Sequence, residues 1–160
     1  LSSPGPVFYR QDRVSWNGLT FTMLKYRSMP MGAEQSKGAQ WAKSGDQRPT
    51  RFGRFLRRTS LDELPQLINV LKGDMSIVGP RPERPVFIEE FKTEIPDYMQ
   101  KHLVKAGITG WAQVNGWRGD TDLKTRIEYD IYYIENWSIM LDMRIMVMTL
   151  FKGMIHKNAY

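Results

Sequence analysis

The sequence predicts an α+β fold, mainly helical, that opens on a β-hairpin. Residues 7 to 27 hold two β-prone runs, "PVFYRQDRV" and "LTFTMLKYR", separated by Asn17-Gly18. Type I′ turns favour that pair because both residues accept positive φ. From Pro49 onward the apolar residues recur at helical spacing, with glycine and proline punctuating the runs. With 160 residues, 41% of them hydrophobic, the chain can build one core, so residues 1–160 read as a single domain.

The elements follow in order. Residues 30 to 50, "PMGAEQSKGAQWAKSGDQRPT", show little periodicity and read as a long loop, a length that is often functional. Arg48, Arg51, Arg54 and Arg57 then recur at steps of three around Phe52, Phe55 and Leu56, which makes a short basic amphipathic helix. In "RRTSLDELPQL", Ser60 followed by Glu63 reads as a capping box, with Ser60 the N-cap and Pro65 a kinking fifth helical residue. "LPQLINVLKGDM" is an apolar helix that Gly73 closes.

"SIVGPRPERP" is a short apolar run broken by prolines, so Arg81 and Arg84 sit on a rigid turn. One or two amphipathic helices interrupted at Pro96 come next, and "KAGITGWAQVNGWRGDTD" reads as a glycine-rich loop. Helices over 122–136 and 138–156 complete the chain, the second with Ser138 as N-cap and with Met140, Met143, Met146 and Met148 assigned to the core. The five residues Trp111, Trp117, Trp137, Tyr132 and Tyr133 fit a core, a base-stacking platform or an interfacial belt.

Composition limits the function. The formal charge is +6, and all of the excess lies in residues 1 to 80, which carry 12 Lys/Arg against 6 Asp/Glu; residues 81 to 160 carry 11 of each. A basic half predicts an anionic partner, and phosphate esters, nucleic acid and acidic lipid all qualify. No cysteine is present and only His102 and His156 are histidines, which excludes disulfides, thiolate metal sites and histidine-rich zinc sites. No run reaches the roughly 18 to 20 apolar residues of a spanning helix, so membrane contact by these residues is expected to be peripheral. Opening on Leu without a secretory pattern, the chain reads as a piece of a longer protein.

Asp62 and Glu63 are the candidates for chemistry. Asp62, near a helix start with arginines upstream, is expected to stay ionised, and an ionised aspartate is a competent nucleophile towards phosphorus. Glu63 could hold a divalent cation through oxygen, the ligand type magnesium prefers. Adjacent carboxylates with a metal suit phosphoryl transfer, because glycoside cleavage needs separated carboxyls. Arg57 and Arg81 are candidate phosphate ligands, since guanidinium forks match phosphate oxygens. Asp130 and Asp142 interrupt apolar helical surfaces, and two readings stand: pairing with Arg126 or Arg144, or facing the basic cleft.

The segments "SPGPVFYRQDRV", "MLKYRSM", "RFGRFLRRTSLDELPQLINVLKGDMSIVGPRPERP" and "AGITGWAQVNG" together resemble the catalytic domain of the bacterial sugar transferases, the monotopic phosphoglycosyl transferases. The ending "WRGDTDLKTRIEYDIYYIENWSIMLD" is most similar to the undecaprenyl-phosphate glucose phosphotransferase branch, which begins exopolysaccharide synthesis. The resemblance implies transfer of a hexose 1-phosphate, glucose or alternatively galactose, from a UDP-sugar to undecaprenyl phosphate with Mg2+, at the cytoplasmic face of the bacterial inner membrane.

It implies Asp62 as nucleophile, forming a covalent phosphosugar, Glu63 as magnesium ligand, and Arg57 and Arg81 as phosphate ligands. Lys25, Arg27, Asp130 and Asp142 match further conserved polar positions, carried over as substrate-binding. The implied partners are UDP-sugar, undecaprenyl phosphate and the membrane surface, not nucleic acid, and a homo-oligomer is left open. The chain departs from the family pattern at Ala106, where many members have Pro, a change expected to loosen that loop. By the same resemblance, residues 1–160 are expected to lack the re-entrant membrane helix that precedes "SPGPVFY" in the family.

Overall fold

The computed structural model describes residues 3–33 and 47–152. Most of the predicted 30–50 loop, together with His156, lies outside the described residues. The chain combines helices with two small two-stranded sheets, as an α+β fold requires.

Strands β1 (Phe8–Val14) and β2 (Thr20–Tyr26) form the expected hairpin, paired antiparallel from Phe8↔Tyr26 to Val14↔Thr20. Asn17 (φ 53°) and Gly18 (φ 73°) do take positive φ. The connection is nevertheless five residues long rather than a two-residue turn: Ser15 donates its N–H to the Leu19 carbonyl at 2.9 Å and Trp16–Gly18 makes a 310 turn inside it. Ser15 is occupied with tertiary contacts, since its Oγ donates to the Asp74 carbonyl (3.1 Å) and accepts the Ala106 N–H (3.0 Å). A proline at 106 would have no such N–H, so the loosening expected at Ala106 is offset by a bond that only a non-proline residue makes.

Helix α1 (Arg51–Arg58) starts at Thr50, whose side chain accepts the Gly53 N–H. Gly53 lets this helix lie backbone to backbone against the end of the hairpin: a Cβ there would stand 1.9 Å from the Ser28 carbonyl oxygen. Helix α2 (Gln66–Lys72) ends at Gly73, whose φ of 84° is the left-handed closure expected of it. Asn69 of α2 holds the hairpin edge, accepting the Leu24 N–H (3.0 Å) and donating to the Thr22 carbonyl (2.9 Å).

The second sheet was not visible in the sequence. Strand β3 (Ser76–Val78) pairs parallel with β4 (Gly107–Thr109), with Ser76↔Gly107 and Val78↔Thr109 in register. The predicted glycine-rich loop is therefore this strand plus a one-turn helix, α4 (Trp111–Val114). Gly79 and Gly107 make the close approach possible, because a Cβ on Gly107 would fall 2.1 Å from the Gly79 nitrogen.

Helix α3 (Pro85–Glu94) stops short of Pro96 as expected, and a 310 segment follows over Tyr98–Leu103. Helix α5 (Leu123–Glu135) is N-capped by Asp122, and α6 (Ile139–Lys152) begins where Ser138 accepts the Leu141 N–H. Two apolar clusters share α5. Val14, Ile88, Tyr98 and Ile127 form one, and Val78, Val114, Tyr133 and Ile145 the other. Of the methionines assigned to the core, Met148 packs against the second cluster, whereas Met140, Met143 and Met146 are exposed. The reason is the apolar breadth of α6: it is apolar on more than one face, and only the face with Leu141, Ile145 and Met148 meets the body.

Candidate active site

The sharpest difference from expectation falls on "RRTSLDELPQL". Ser60 is not an N-cap: its φ is 56°, its side chain makes no cap bond, and Leu61–Glu63 form a single 310 turn. Pro65 stands immediately ahead of α2 rather than inside it, where its missing N–H and fixed φ cost nothing. Instead of a capping box, a left-handed residue reverses the chain between two helices and turns Asp62 and Glu63 inward, each only 6% exposed. A non-glycine residue held at positive φ costs of the order of 1–3 kcal/mol and clusters at functional sites.

Glu63 sits among cations from three separate elements. Its Oε1 accepts Lys25 Nζ of β2 at 2.9 Å and Arg81 Nη2 of the proline turn at 2.6 Å, and Arg118 Nη2 lies 3.5 Å away. Arg118 also donates to Ser60 Oγ at 3.1 Å, which ties the glycine-rich segment to the left-handed residue. Burial pushes the Glu63 carboxyl up, but Arg81, Lys25 and Arg118 outweigh it and hold the group well below the usual carboxylate range.

Asp62 goes the other way. Burial raises its carboxyl pKa above the ordinary value, with Lys25 opposing and the charge of Glu63 adding to the rise. Its Oδ1 is buried without a hydrogen-bond partner. Lys25, Arg118 and Arg57 do favour ionised Asp62, as the upstream arginines were expected to, but burial outweighs them, and the 310 turn supplies no α-helix start to add to them. Two neighbouring carboxylates with pKa values pushed apart are the mark of two different tasks. Glu63 organises charge, and Asp62 presents an oxygen unsaturated by hydrogen bonds.

Both line a cleft of about 800 Å3, within the usual range for small-molecule sites. Arg57, Lys25, Arg81 and Arg118 line it too. Of the other predicted site residues, Arg27 lines the same cleft but spends its guanidinium on the chain itself, donating to the carbonyls of Pro6 (2.7 Å), Ser3 (2.7 Å) and Gly5 (3.3 Å). Asp130 is buried outside the cleft lining, its Oδ2 3.4 Å from Lys101 Nζ. Asp142 accepts Tyr133 Oη at 2.8 Å and Trp137 Nε1 at 3.2 Å, bracing the corner between α5 and α6. Of the predicted stripe, Arg51 and Arg54 are exposed, while Arg48 and Arg57 line the cleft.

Sequence reasoning missed Arg118 and Glu83. Arg118 was hidden in a segment read as a loop, though Gly116 and Gly119 on either side, both at positive φ, mark a sharply turned backbone. Glu83 is buried and gathers Arg126 (3.3 Å), Arg13 (3.9 Å) and Lys101 (3.9 Å), while its carbonyl receives the Val14 N–H at 2.9 Å. That network fixes the turn carrying Arg81 against β1.

Comparison with known proteins gives the family. The family model described as bacterial sugar transferase matches residues 1–156. The chain belongs to the bacterial sugar transferase family. It is 51% identical over its whole length to a UDP-glucose:undecaprenyl-phosphate glucose-1-phosphate transferase of Escherichia coli, covering 35% of that protein. It is 52% identical, again over its whole length, to one of Xanthomonas campestris, covering 34% of it. An Aeromonas hydrophila UDP-N-acetylgalactosamine-undecaprenyl-phosphate N-acetylgalactosaminephosphotransferase is 50% identical over 94% of the chain and 36% of its own length. The chain thus spans about a third of the length of these curated relatives.

Proposed function

We propose that this sugar transferase chain is the catalytic part of an enzyme that moves glucose 1-phosphate from UDP-glucose to undecaprenyl phosphate, releasing UMP. The observation that carries the reading is the division of labour between Asp62 and Glu63 in a buried cleft rimmed by arginines. The sugar and the lipid are argued from the names of the relatives, two of which act on UDP-glucose. Galactose 1-phosphate is the alternative within the same chemistry.

In the first step an Asp62 carboxylate oxygen attacks the β-phosphorus, and the bond from that phosphorus to the oxygen bridging to the α-phosphate breaks. The electron pair leaves with UMP, and the sugar phosphate remains on Asp62 as an acyl phosphate. In the second step an oxygen of undecaprenyl phosphate attacks the same phosphorus and the Asp62–phosphorus bond breaks, which returns the carboxylate. Arg57, Arg81 and Arg118 bind and orient the phosphate oxygens, and Lys25 offsets charge beside Asp62.

The donor set fits Mg2+ held by substrate as well as protein. Among the described residues no group of three or more His, Cys, Asp or Glu comes together, so Glu63 would be the protein carboxylate for the ion, through Oε2, whose contact with Arg81 Nη1 is the longer at 3.4 Å, since Lys25 and Arg81 Nη2 both meet Oε1. Magnesium commonly binds through one or two carboxylates plus substrate phosphates. When bound, it supplies charge neutralisation at the diphosphate.

On this reading the full-length protein works at the cytoplasmic face of the bacterial inner membrane. No helix among the described residues is long and apolar enough to cross a membrane. Support for surface contact comes from α1 and α2, which expose Phe52, Phe55, Leu67 and Leu71 beside Arg51, Arg54 and Arg58, the mixture that interfacial helices use.

The test is mass spectrometry of full-length protein with UDP-glucose and Mg2+ but no lipid. A hexose-phosphate adduct on Asp62 with release of UMP is expected. UMP release by Asp62→Asn at the unaltered rate would remove the covalent route, and UDP-galactose and UDP-N-acetylgalactosamine in parallel would rank the donors.

A further inference from the structure

A second, smaller cavity of about 200 Å3 adjoins the catalytic cleft. Pro6, Val7, Tyr26 and Arg27 line both, so the two are neighbours across one wall of the N-terminal segment. The walls unique to the small cavity include Phe52 and Leu56 of α1. Its volume is below that of a site for a whole ligand, which marks it as an extension of the cleft rather than a separate pocket.

The chemistry changes along this path. The cleft carries Asp62, Glu63 and the arginines, whereas the small cavity is walled mostly by proline, valine, tyrosine, phenylalanine and leucine side chains. Its outer edge is Phe52, 46% exposed and stacked on Phe55 with ring centroids 6.2 Å apart. Both rings belong to the exposed apolar face of α1, which is flanked by Arg51, Arg54 and Arg58. A path from a basic cleft through an apolar slot to a basic, apolar surface complements one kind of molecule, an amphiphile with a phosphate head and a hydrocarbon tail.

We propose that this slot receives the first isoprene units of the polyprenyl phosphate acceptor and directs its chain from Asp62 out along α1. The inference rests on the reading of function given above and deepens it by assigning a place to the lipid tail. It also gives Arg27 a part. By holding the carbonyls of Ser3, Gly5 and Pro6 and, at 3.4 Å, that of Met29, Arg27 fixes the segment that separates slot from cleft. Arg27 is thus a positioning residue for the acceptor rather than a ligand of the donor phosphates. In the second step the attacking phosphate oxygen takes the place UMP has left, so head-group sites are shared and only the tail needs a route of its own.

The test separates the half-reactions in full-length protein. Phe52→Glu places a carboxylate at the slot's exposed edge, outside the catalytic cleft. Formation of the Asp62 adduct from UDP-glucose is expected to stay within about twofold, while consumption of the adduct by undecaprenyl phosphate slows at least tenfold. Equal loss in both half-reactions, or in neither, overturns the slot. Unmodified protein is then photolabelled with a benzophenone-bearing farnesyl phosphate. Labels on Val7, Tyr26 or Phe52 support the proposal; labels elsewhere, or protection of these residues by a preceding segment of the chain, overturn it. Absence of any adduct in the unmodified protein refutes the functional reading instead, which keeps the two failures distinct.

Discussion

Glu63 Oε1 and Arg81 Nη2 lie 2.6 Å apart, both largely withdrawn from solvent. Removing one partner of such a pair leaves an uncompensated charge and costs about 3–5 kcal/mol. Arg81→Met should fall at the lower end, because Lys25 and Arg118 still face Glu63. Glu63→Gln should cost more, since three cations then confront one another. Cations hold the Glu63 pKa well below its ordinary 4.5, so its contribution is complete above that pH and is lost as pH falls through the folded value. Urea unfolding at stepped pH should show the gap between unmodified protein and Glu63→Gln closing only in acid.

Asp62 carries the opposite sign. Burial raises its pKa, so adduct formation should lose rate on the acid side at a higher pH than an ordinary aspartate would give. Asp62→Asn should abolish adduct and UMP release while UDP-glucose still binds with an affinity within a few-fold, as measured by calorimetry. Loss of binding and of chemistry together would instead mark Asp62 as a ligand of the donor.

Asp130 and His102 make a paired prediction away from the chemistry. Burial raises the Asp130 carboxyl to about 6 and lowers the His102 imidazole to about 4. Between pH 4 and 6 the folded state therefore holds a proton on Asp130 that the unfolded chain releases, and stability falls as pH rises, by at most ~3 kcal/mol. His102 does the reverse: the unfolded chain takes up a proton that the folded state refuses, so stability rises with pH. The two slopes oppose each other in one window. Asp130→Asn should unmask a stability that climbs from pH 4.5 to 6, and His102→Gln one that declines, as read from melting temperatures across that range.

What could be read in the sequence was local. The hairpin, Gly73 as a helix stop, the Pro96 break and the Ser138 cap all depend on side chains acting within four residues, and all appear. Ser60 failed because a Ser-x-x-Glu pattern cannot reveal that Glu63 has better partners 18 and 38 residues away in the chain. The parallel strands failed for the same reason, since Ser76–Val78 is too short to show a period and its partner begins 31 positions on at Gly107. Asp62 and Glu63 stood out as adjacent carboxylates among arginines. Arg118 did not, because a lone arginine in a glycine-rich segment has no periodic or paired signal.

Gly53 decides between two physical effects of opposite sign. In a helix interior, alanine is favoured over glycine by about 1 kcal/mol, and propensity alone predicts that Gly53→Ala stabilises the chain. The new Cβ, however, would stand 1.9 Å from the Ser28 carbonyl oxygen and 2.6 Å from its carbon, both backbone atoms that no rotamer change can move. Overpacking of that kind typically costs about 1–3 kcal/mol, enough to cancel or exceed the gain. Gly53→Ala should therefore be neutral to destabilised in urea unfolding. Arg57 rides one helical turn further along α1, so displacement of the helix also draws that guanidinium from the cleft, and KM for UDP-glucose should rise several-fold. A clear gain in stability with unchanged KM would show that α1 does not lean on Ser28 in solution.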